Sequence, residues 1–93
     1  PGAPRVQIRE PQSGAFVKNQ LAISAEITSV SNIGKIAVYF NNKLIQEFGG
    51  PFSPPYQFKW TLTPPNPGLQ NLLRVEAADQ NGRIGRAEVI VYK

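Results

Sequence analysis

Apolar and polar residues alternate along most of this 93-residue chain, and proline, glycine or asparagine interrupts the alternation at short intervals. A period of two places successive side chains on opposite faces of an extended strand, whereas a helix repeats its apolar residues every three to four positions. The clearest case is residues 21–28, where every second residue is apolar. The pattern therefore predicts an all-β domain.

Seven segments carry this alternation, namely residues 5–9, 21–28, 36–40, 43–48, 56–62, 70–78 and 85–92. Asn41 and Asn42 tolerate positive φ and suit a two-residue hairpin turn between the third and fourth strands. Residues 49–55 and 63–68 are rich in glycine and proline, so we expect irregular loops there. Mostly antiparallel connections favour two sheets packed face to face. The predicted core contains Ile23, Val38, Phe40, Trp60, Val75 and Val89.

The length allows one domain, because two independent cores would not fit into 93 residues. Residues 1–93 are therefore expected to form a single unit, with residues 1–4 as the remnant of a linker. No run approaches the roughly 20 apolar residues of a transmembrane helix. The first residues also lack the zones of a signal peptide, so we expect the start to be an excision point in a longer chain.

Cysteine and histidine are both absent. Their absence excludes disulfides, nucleophile systems that depend on cysteine or histidine, and most ligands of transition metals. Six carboxylates remain, but strands of a sandwich expose such residues singly, whereas a glycosidase needs two that face each other across a cleft. Glu26, Glu76 and Glu88 have outward parity and are expected to pair with cations on neighbouring strands. We therefore expect no enzyme.

The formal charge is +4, from ten Lys and Arg against six Asp and Glu. These cations are scattered rather than gathered on one element with interleaved aromatic residues, so a nucleic-acid partner is not expected. A mildly basic solvated surface is the simpler interpretation, and anionic wall polymers or lipid headgroups are the functional alternative. We expect a monomer.

Four stretches together resemble the bacterial immunoglobulin-like domains, which are close in architecture to fibronectin type III modules. They are residues 6–11 followed by Ser13 and Gly14, residues 36–44, residues 55–60, and residues 73–82. The sequence departs from the family where Thr61 and Leu62 follow the tryptophan and where Asn42 replaces a common glycine. The resemblance implies a seven-stranded immunoglobulin-like β-sandwich that serves as a non-catalytic accessory module.

Such modules occur in secreted and cell-surface proteins, so the resemblance also implies an extracellular or cell-envelope location. The chain also resembles the C-terminal modules of bifunctional penicillin-binding proteins, which are the first candidate for the parent, and tails of glycoside hydrolases are the next. The implied role is that of a spacer, a domain-packing unit or a weak attachment to the cell wall. Neighbouring domains of the same polypeptide are then the main partners, and the proline-rich loops are candidates for contacting them.

Asp79 and Asn81 offer hard oxygen ligands that suit calcium, with Glu10 as a third contributor from another loop. Asp at the start of a turn also caps backbone N–H groups with its own carboxylate. Turn capping is the first interpretation of this pair, calcium binding is the second, and no other cofactor is expected.

Four aromatic residues form the candidate ligand site, because exposed flat rings stack on sugars. They are Tyr39, Phe52, Tyr56 and Tyr92. A contiguous surface row of these rings would indicate a carbohydrate- or peptidoglycan-binding module. Burial of all but one would instead indicate a scaffold, with Phe52 and Tyr56 closing one end of the sandwich and Tyr39 covering a neighbouring strand.

Overall fold

The computed structural model describes residues 2–93 and contains seven β-strands in two sheets. In chain order they are β1 (Arg5–Glu10), β2 (Leu21–Thr28), β3 (Ile33–Phe40), β4 (Lys43–Phe52), β5 (Tyr56–Leu62), β6 (Gln70–Asp79) and β7 (Ile84–Tyr92). One sheet has the order β1-β2-β5 and the other the order β4-β3-β6-β7. All strand pairs are antiparallel. The predicted all-β, seven-stranded sandwich is confirmed.

Within residues 2–93 no helix is long and apolar enough to cross a membrane.

The core lies between the two sheets and is built from the inward-facing residues of both. Of the six predicted core residues, Ile23, Val38, Phe40 and Val75 are buried, whereas Trp60 and Val89 are only half-buried. The difference follows from topology, because Trp60 lies on the edge strand β5 and Val89 on the edge strand β7. A residue on an edge strand has a neighbour on one side only.

An aromatic cluster closes the side of the sandwich where the edge strands β4 and β5 face each other. The Phe48 ring meets the Phe58 ring edge-on at 5.2 Å between centroids and the Trp60 ring at 5.4 Å. Such edge-to-face pairs contribute about 0.5–1.5 kcal/mol beyond the burial of their area. Trp60 therefore covers the margin of the core rather than filling its centre.

β4 is longer than its sequence predicts. Residues 49–55 were expected to be irregular, but β4 continues to Phe52, which pairs with Ile33, so β3 also begins earlier than expected. Pro51 is compatible with this strand because β4 is an edge strand, where a missing backbone donor breaks no ladder. Gly50 is required by close packing, since a Cβ there would lie 2.5 Å from the Ile33 carbonyl oxygen.

The segment before β1 packs against β7 instead of forming a linker. Pro4 is buried, and a Cβ added to Gly85 would overlap the Pro4 carbonyl oxygen. Gly2 lies beside the Arg83 guanidinium, where an added Cβ would be 2.6 Å from Nη1. Residues 2–4 thus pack against the folded unit, and the assignment of residues 1–4 as a linker remnant stays a prediction. Pro1 lies outside the described residues.

The last strand is held by a second segment of the chain near its C-terminal end. Phe16 pairs in parallel with Tyr92. Gly14 N donates to Ile90 O at 2.8 Å, Tyr92 N to Ala15 O at 2.8 Å, and Val17 N to Tyr92 O at 2.6 Å. Residues 14–17 therefore act as a short parallel neighbour of β7.

The molecule is elongated, with extents of 37 × 19 × 19 Å. Arg5 pairs with Thr28, and Ile33 with Asp79, so β1 begins at the end of the sandwich that holds the β6–β7 turn. Tyr92 pairs with Gln70 at the opposite end. The first strand thus starts at one end of the sandwich and the last strand finishes at the other.

Candidate functional site

The solvent side of the four-stranded sheet concentrates polar and ionisable side chains, and we call it the outer face. The strand registers place three rows side by side across β3, β6 and β7. The rows are Lys35–Ala78–Ile84, Ala37–Glu76–Arg86 and Tyr39–Arg74–Glu88. Glu47 on β4 extends the middle row, since it pairs with Ala37.

A depression of about 130 Å³ lies on this face. Its lining consists of Lys35, Ala37, Tyr39, Glu76, Ala78 and Ile84. Ala37 and Ala78 have small side chains among longer neighbours, so the depression arises where these two residues leave space between adjacent strands. Ile84 forms an apolar wall and is half exposed.

Arg74 connects the charged residues around the depression. Its Nε lies 3.0 Å from Glu76 Oε2, and its Nη1 lies 3.7 Å from Glu88 Oε2. Nη1 also donates to Asn42 Oδ1 at 3.2 Å, and Cζ stands 4.3 Å from the centroid of the Tyr39 ring. These contacts hold a side chain that is only 18% exposed.

The other charges of the outer face are also paired. Arg86 Nε lies 3.9 Å from Glu76 Oε2, and Lys35 Nζ lies 3.3 Å from Glu47 Oε2. The predicted cross-strand pairing of outward carboxylates is thus present here. On the other sheet, Arg9 hydrogen-bonds to Glu26, and this bond, together with the charge of Arg9 and a bond from Gln57, lowers the pKa of the Glu26 carboxyl.

The four aromatic residues of the predicted ligand site lie in three separate places. Phe52 and Tyr56 pack together at 4.6 Å between ring centroids, at the end of the sandwich where β1 begins. Tyr92 lies at the opposite end. Tyr39 lies on the outer face with Arg74 against one side of its ring. The four rings therefore form no contiguous row, and three of them are half-buried.

Two further exposed apolar residues, which the alternation does not identify, lie at the same end of the sandwich as Tyr92. The Phe16 ring lies 6.3 Å from the Tyr92 ring, and Lys93 N donates to Leu69 O at 3.1 Å. Phe16 is 74% exposed, Leu69 83% and Tyr92 36%. We call these three residues the terminal cluster. Phe16 and Leu69 lie in loops, where the alternation of apolar and polar residues does not predict which side chains are exposed.

Asp79 caps the β6–β7 turn. Its Oδ1 accepts hydrogen bonds from Asn81 N and Arg83 N, both at 2.9 Å, and its Oδ2 accepts one from Arg83 Nε at 3.1 Å. Burial of the carboxyl raises its pKa, but these donors and the Arg83 charge outweigh that effect and lower the pKa below its ordinary value.

A calcium ion at Asp79 and Asn81 would have to compete with these three donors. Glu10, the third contributor expected from the sequence, pairs with Ser24 near the middle of β2, whereas the β6–β7 turn lies at the end of the sandwich where β1 begins. Among residues 2–93, no three acidic side chains lie together in a group that suits a metal. Calcium binding by Asp79 and Asn81 stays a prediction.

The sequence profile described as bacterial Ig domain matches residues 4–72, which is well over half of the chain. The two-sheet fold and this match define an immunoglobulin-like module. The chain belongs to the bacterial Ig domain family. Domains of this kind are generally non-catalytic and are often extracellular or surface-associated. No curated protein matches the chain significantly.

Solved structures with the same fold share little sequence with this chain. The fibronectin(III)-like modules of Clostridium thermocellum CbhA align with a TM-score of 0.71 at 18% identity, over 99% of this chain and 47% of theirs. This chain therefore spans about half of that structure. The CARDB domain of the PF1109 protein from Pyrococcus furiosus, solved in complex with di-metal ions, aligns with a TM-score of 0.59 at 16% identity, over 97% of this chain and 93% of that one. Both similarities concern the fold alone.

Proposed function

We propose that the chain is a non-catalytic accessory module that holds neighbouring domains of a secreted or cell-envelope protein in line and apart. The observation that carries this proposal is the position of the first and last strands. β1 starts at one end of a body with a 37 Å long axis, and β7 finishes at the other end. Domains joined to these strands would sit at opposite ends of the module.

Both terminal segments are fixed to the body, which supports a rigid rather than a flexible connection. The Pro4 carbonyl packs against Gly85, and residues 14–17 hydrogen-bond to the end of β7. A neighbouring domain joined to these segments would therefore be held in a fixed orientation relative to the sandwich. A flexible Gly/Ser linker would not fix that orientation.

The terminal cluster supports a packing role at one end of the module. Phe16, Leu69 and Tyr92 are exposed beside the end of β7, where a following domain would be attached. Small apolar contacts of this kind are typical of interfaces between domains within a chain. The resemblance to C-terminal modules of bifunctional penicillin-binding proteins makes a peptidoglycan-synthesising enzyme the first parent to test.

Energy transfer between two fluorescent proteins, fused before Gly2 and after Lys93, tests the spacing role. We expect one narrow distribution of transfer efficiencies, because the folded module fixes both attachment points. The matched control replaces the module with a Gly/Ser chain of equal residue number, which should give a broad distribution. A broad distribution for the folded module would contradict the proposal.

A further inference from the structure

We propose that the depression on the outer face binds one ring of a neutral saccharide. This function goes beyond spacing and does not depend on it. It also differs from the aromatic platform predicted from the sequence, since only Tyr39 is shared between the two sets of residues.

The lining of the depression contains groups that complement both kinds of surface on a sugar ring. A pyranose has an apolar side of C–H groups and a rim of hydroxyl groups that both donate and accept hydrogen bonds. Ala78 and Ile84 supply apolar contact, the Glu76 carboxylate accepts, and the Lys35 ammonium donates.

The balance of charge on the outer face favours a neutral ligand over an anionic one. Lys35, Arg74 and Arg86 are paired with Glu47, Glu76 and Glu88, so three positive charges meet three negative ones. The face is therefore neutral, although the whole chain carries +4. An anionic polymer would gain no net attraction here, and it would meet the Glu76 carboxylate at the depression.

The Glu76 carboxylate is held in place before a ligand arrives. Arg74 contacts both Glu76 and the Tyr39 ring, and the side chains of Arg74 and Glu76 are 18% and 17% exposed. Fixed side chains lower the ordering cost of binding. Because Arg74 already covers one side of the Tyr39 ring, Tyr39 serves as a wall of the site rather than as an open stacking surface. Since the depression is small, at about 130 Å³, we expect weak binding, with a Kd of about 1 mM or higher.

Chemical-shift titration of the ¹⁵N-labelled protein tests this site, with cellobiose and N,N′-diacetylchitobiose as probes at concentrations up to about 20 mM, which exceed the expected Kd. We expect saturable shifts at the backbone amides of the residues that line the depression. Dextran sulfate serves as the anionic comparison and should not shift these amides. Absence of saturable shifts with both disaccharides, or shifts with dextran sulfate alone, would overturn the proposal.

Two variants in the depression and one control on the other sheet show whether the ligand binds in the depression. Ala78→Leu fills the floor and should abolish the shifts, whereas Ala22→Leu makes the same change at an exposed position on the other sheet and should leave them intact. Ile84→Ala removes a wall at a half-exposed position and should weaken binding about 3- to 10-fold without affecting the core. An unchanged affinity in a folded Ala78→Leu or Ile84→Ala variant would place the ligand elsewhere and overturn the site.

Discussion

Asn71 joins three segments of the chain through one buried amide. Its Oδ1 accepts hydrogen bonds from Gly68 N at 2.8 Å and Asn41 Nδ2 at 3.0 Å. Its Nδ2 donates to Gly68 O at 3.0 Å and to Val91 O at 3.4 Å. The β3–β4 turn, the loop before β6 and the end of β7 are therefore connected at one point.

Replacing Asn71 with alanine should lower the free energy of unfolding by about 2–3 kcal/mol. The reason is that one buried and three part-buried hydrogen bonds would be lost, and an unsatisfied buried group costs about 1–3 kcal/mol. Urea unfolding measures the effect. Asn19→Ala, at an exposed loop position, is the control and should change stability by less than about 0.5 kcal/mol. Equal stability of the two variants would contradict a structural role for the amide.

Asp79 should make stability depend on pH in the acidic range. Its pKa is lowered in the folded state, so its stabilising effect is present above the unfolded-state value of about 3.9 and disappears as the pH falls through the folded-state pKa. We expect Asp79→Asn to have a lower Tm than the wild type near neutral pH. The difference should begin to shrink as the pH falls below about 3.9 and approach zero below the folded-state pKa of Asp79.

Thermal melts across the acidic range measure this convergence. Glu10→Gln removes one carboxylate at the end of β1 that lies away from the β6–β7 turn, and it corrects for the general effect of lost charge. If the Tm difference caused by Asp79→Asn, after this correction, stayed constant down to low pH, the stabilising effect of the carboxylate would not be electrostatic.

Two strand glycines should respond differently to an added methyl group, because only Gly85 lies against the N-terminal segment. A Cβ at Gly85 overlaps the Pro4 carbonyl, whereas a Cβ at Gly49 meets nothing within 4 Å. Gly85→Ala should therefore destabilise the protein by about 1–3 kcal/mol through overpacking, and Gly49→Ala should be nearly neutral. Chemical unfolding of both variants gives the comparison. A neutral Gly85→Ala would mean that residues 2–4 are not packed as described.

Strands that bury one full face were predictable from the sequence, and edge strands were less so. The bounds of β2 match their prediction because its alternation is uninterrupted and one side faces the core. β4 was predicted too short because two glycines and Pro51 obscure its pattern. Their compatibility with a strand depends on its position at the edge of the sheet, which no local pattern reveals.

The depression was less predictable than the fold for a related reason. The outward parity of Ala37 and Ala78 follows from the alternation, but their proximity depends on the register between β3 and β6, which long-range pairing determines. The same registers place Lys35 beside Ala78 and Arg74 beside Tyr39. Parity alone correctly indicated that Tyr39 faces away from the core, but it did not indicate that Arg74 covers one side of the ring.

Half of the basic residues form ion pairs, and most of these pairs lie on the outer face. Five of the ten basic residues form ion pairs within residues 2–93: Arg9, Lys35, Arg74, Arg83 and Arg86. Exposed pairs of this kind contribute little stability individually, and salt screens them further. Their main consequence is that the outer face is neutral, so long-range attraction of the chain to anionic surfaces must come from other faces.

The parallel pairing between residues 14–17 and the end of β7 has a mechanical consequence. Tension along the 37 Å axis, applied to a chain that enters at one end and leaves at the other, pulls β7 lengthwise past its partner segment. Three backbone hydrogen bonds join residues 14–17 to the end of β7, and they lie across the direction of the force. The force therefore loads all three bonds at once in shear, and they cannot open one after another. The hydrogen bonds between residues 14–17 and β7 would open one by one only if the chain entered and left the domain at the same end.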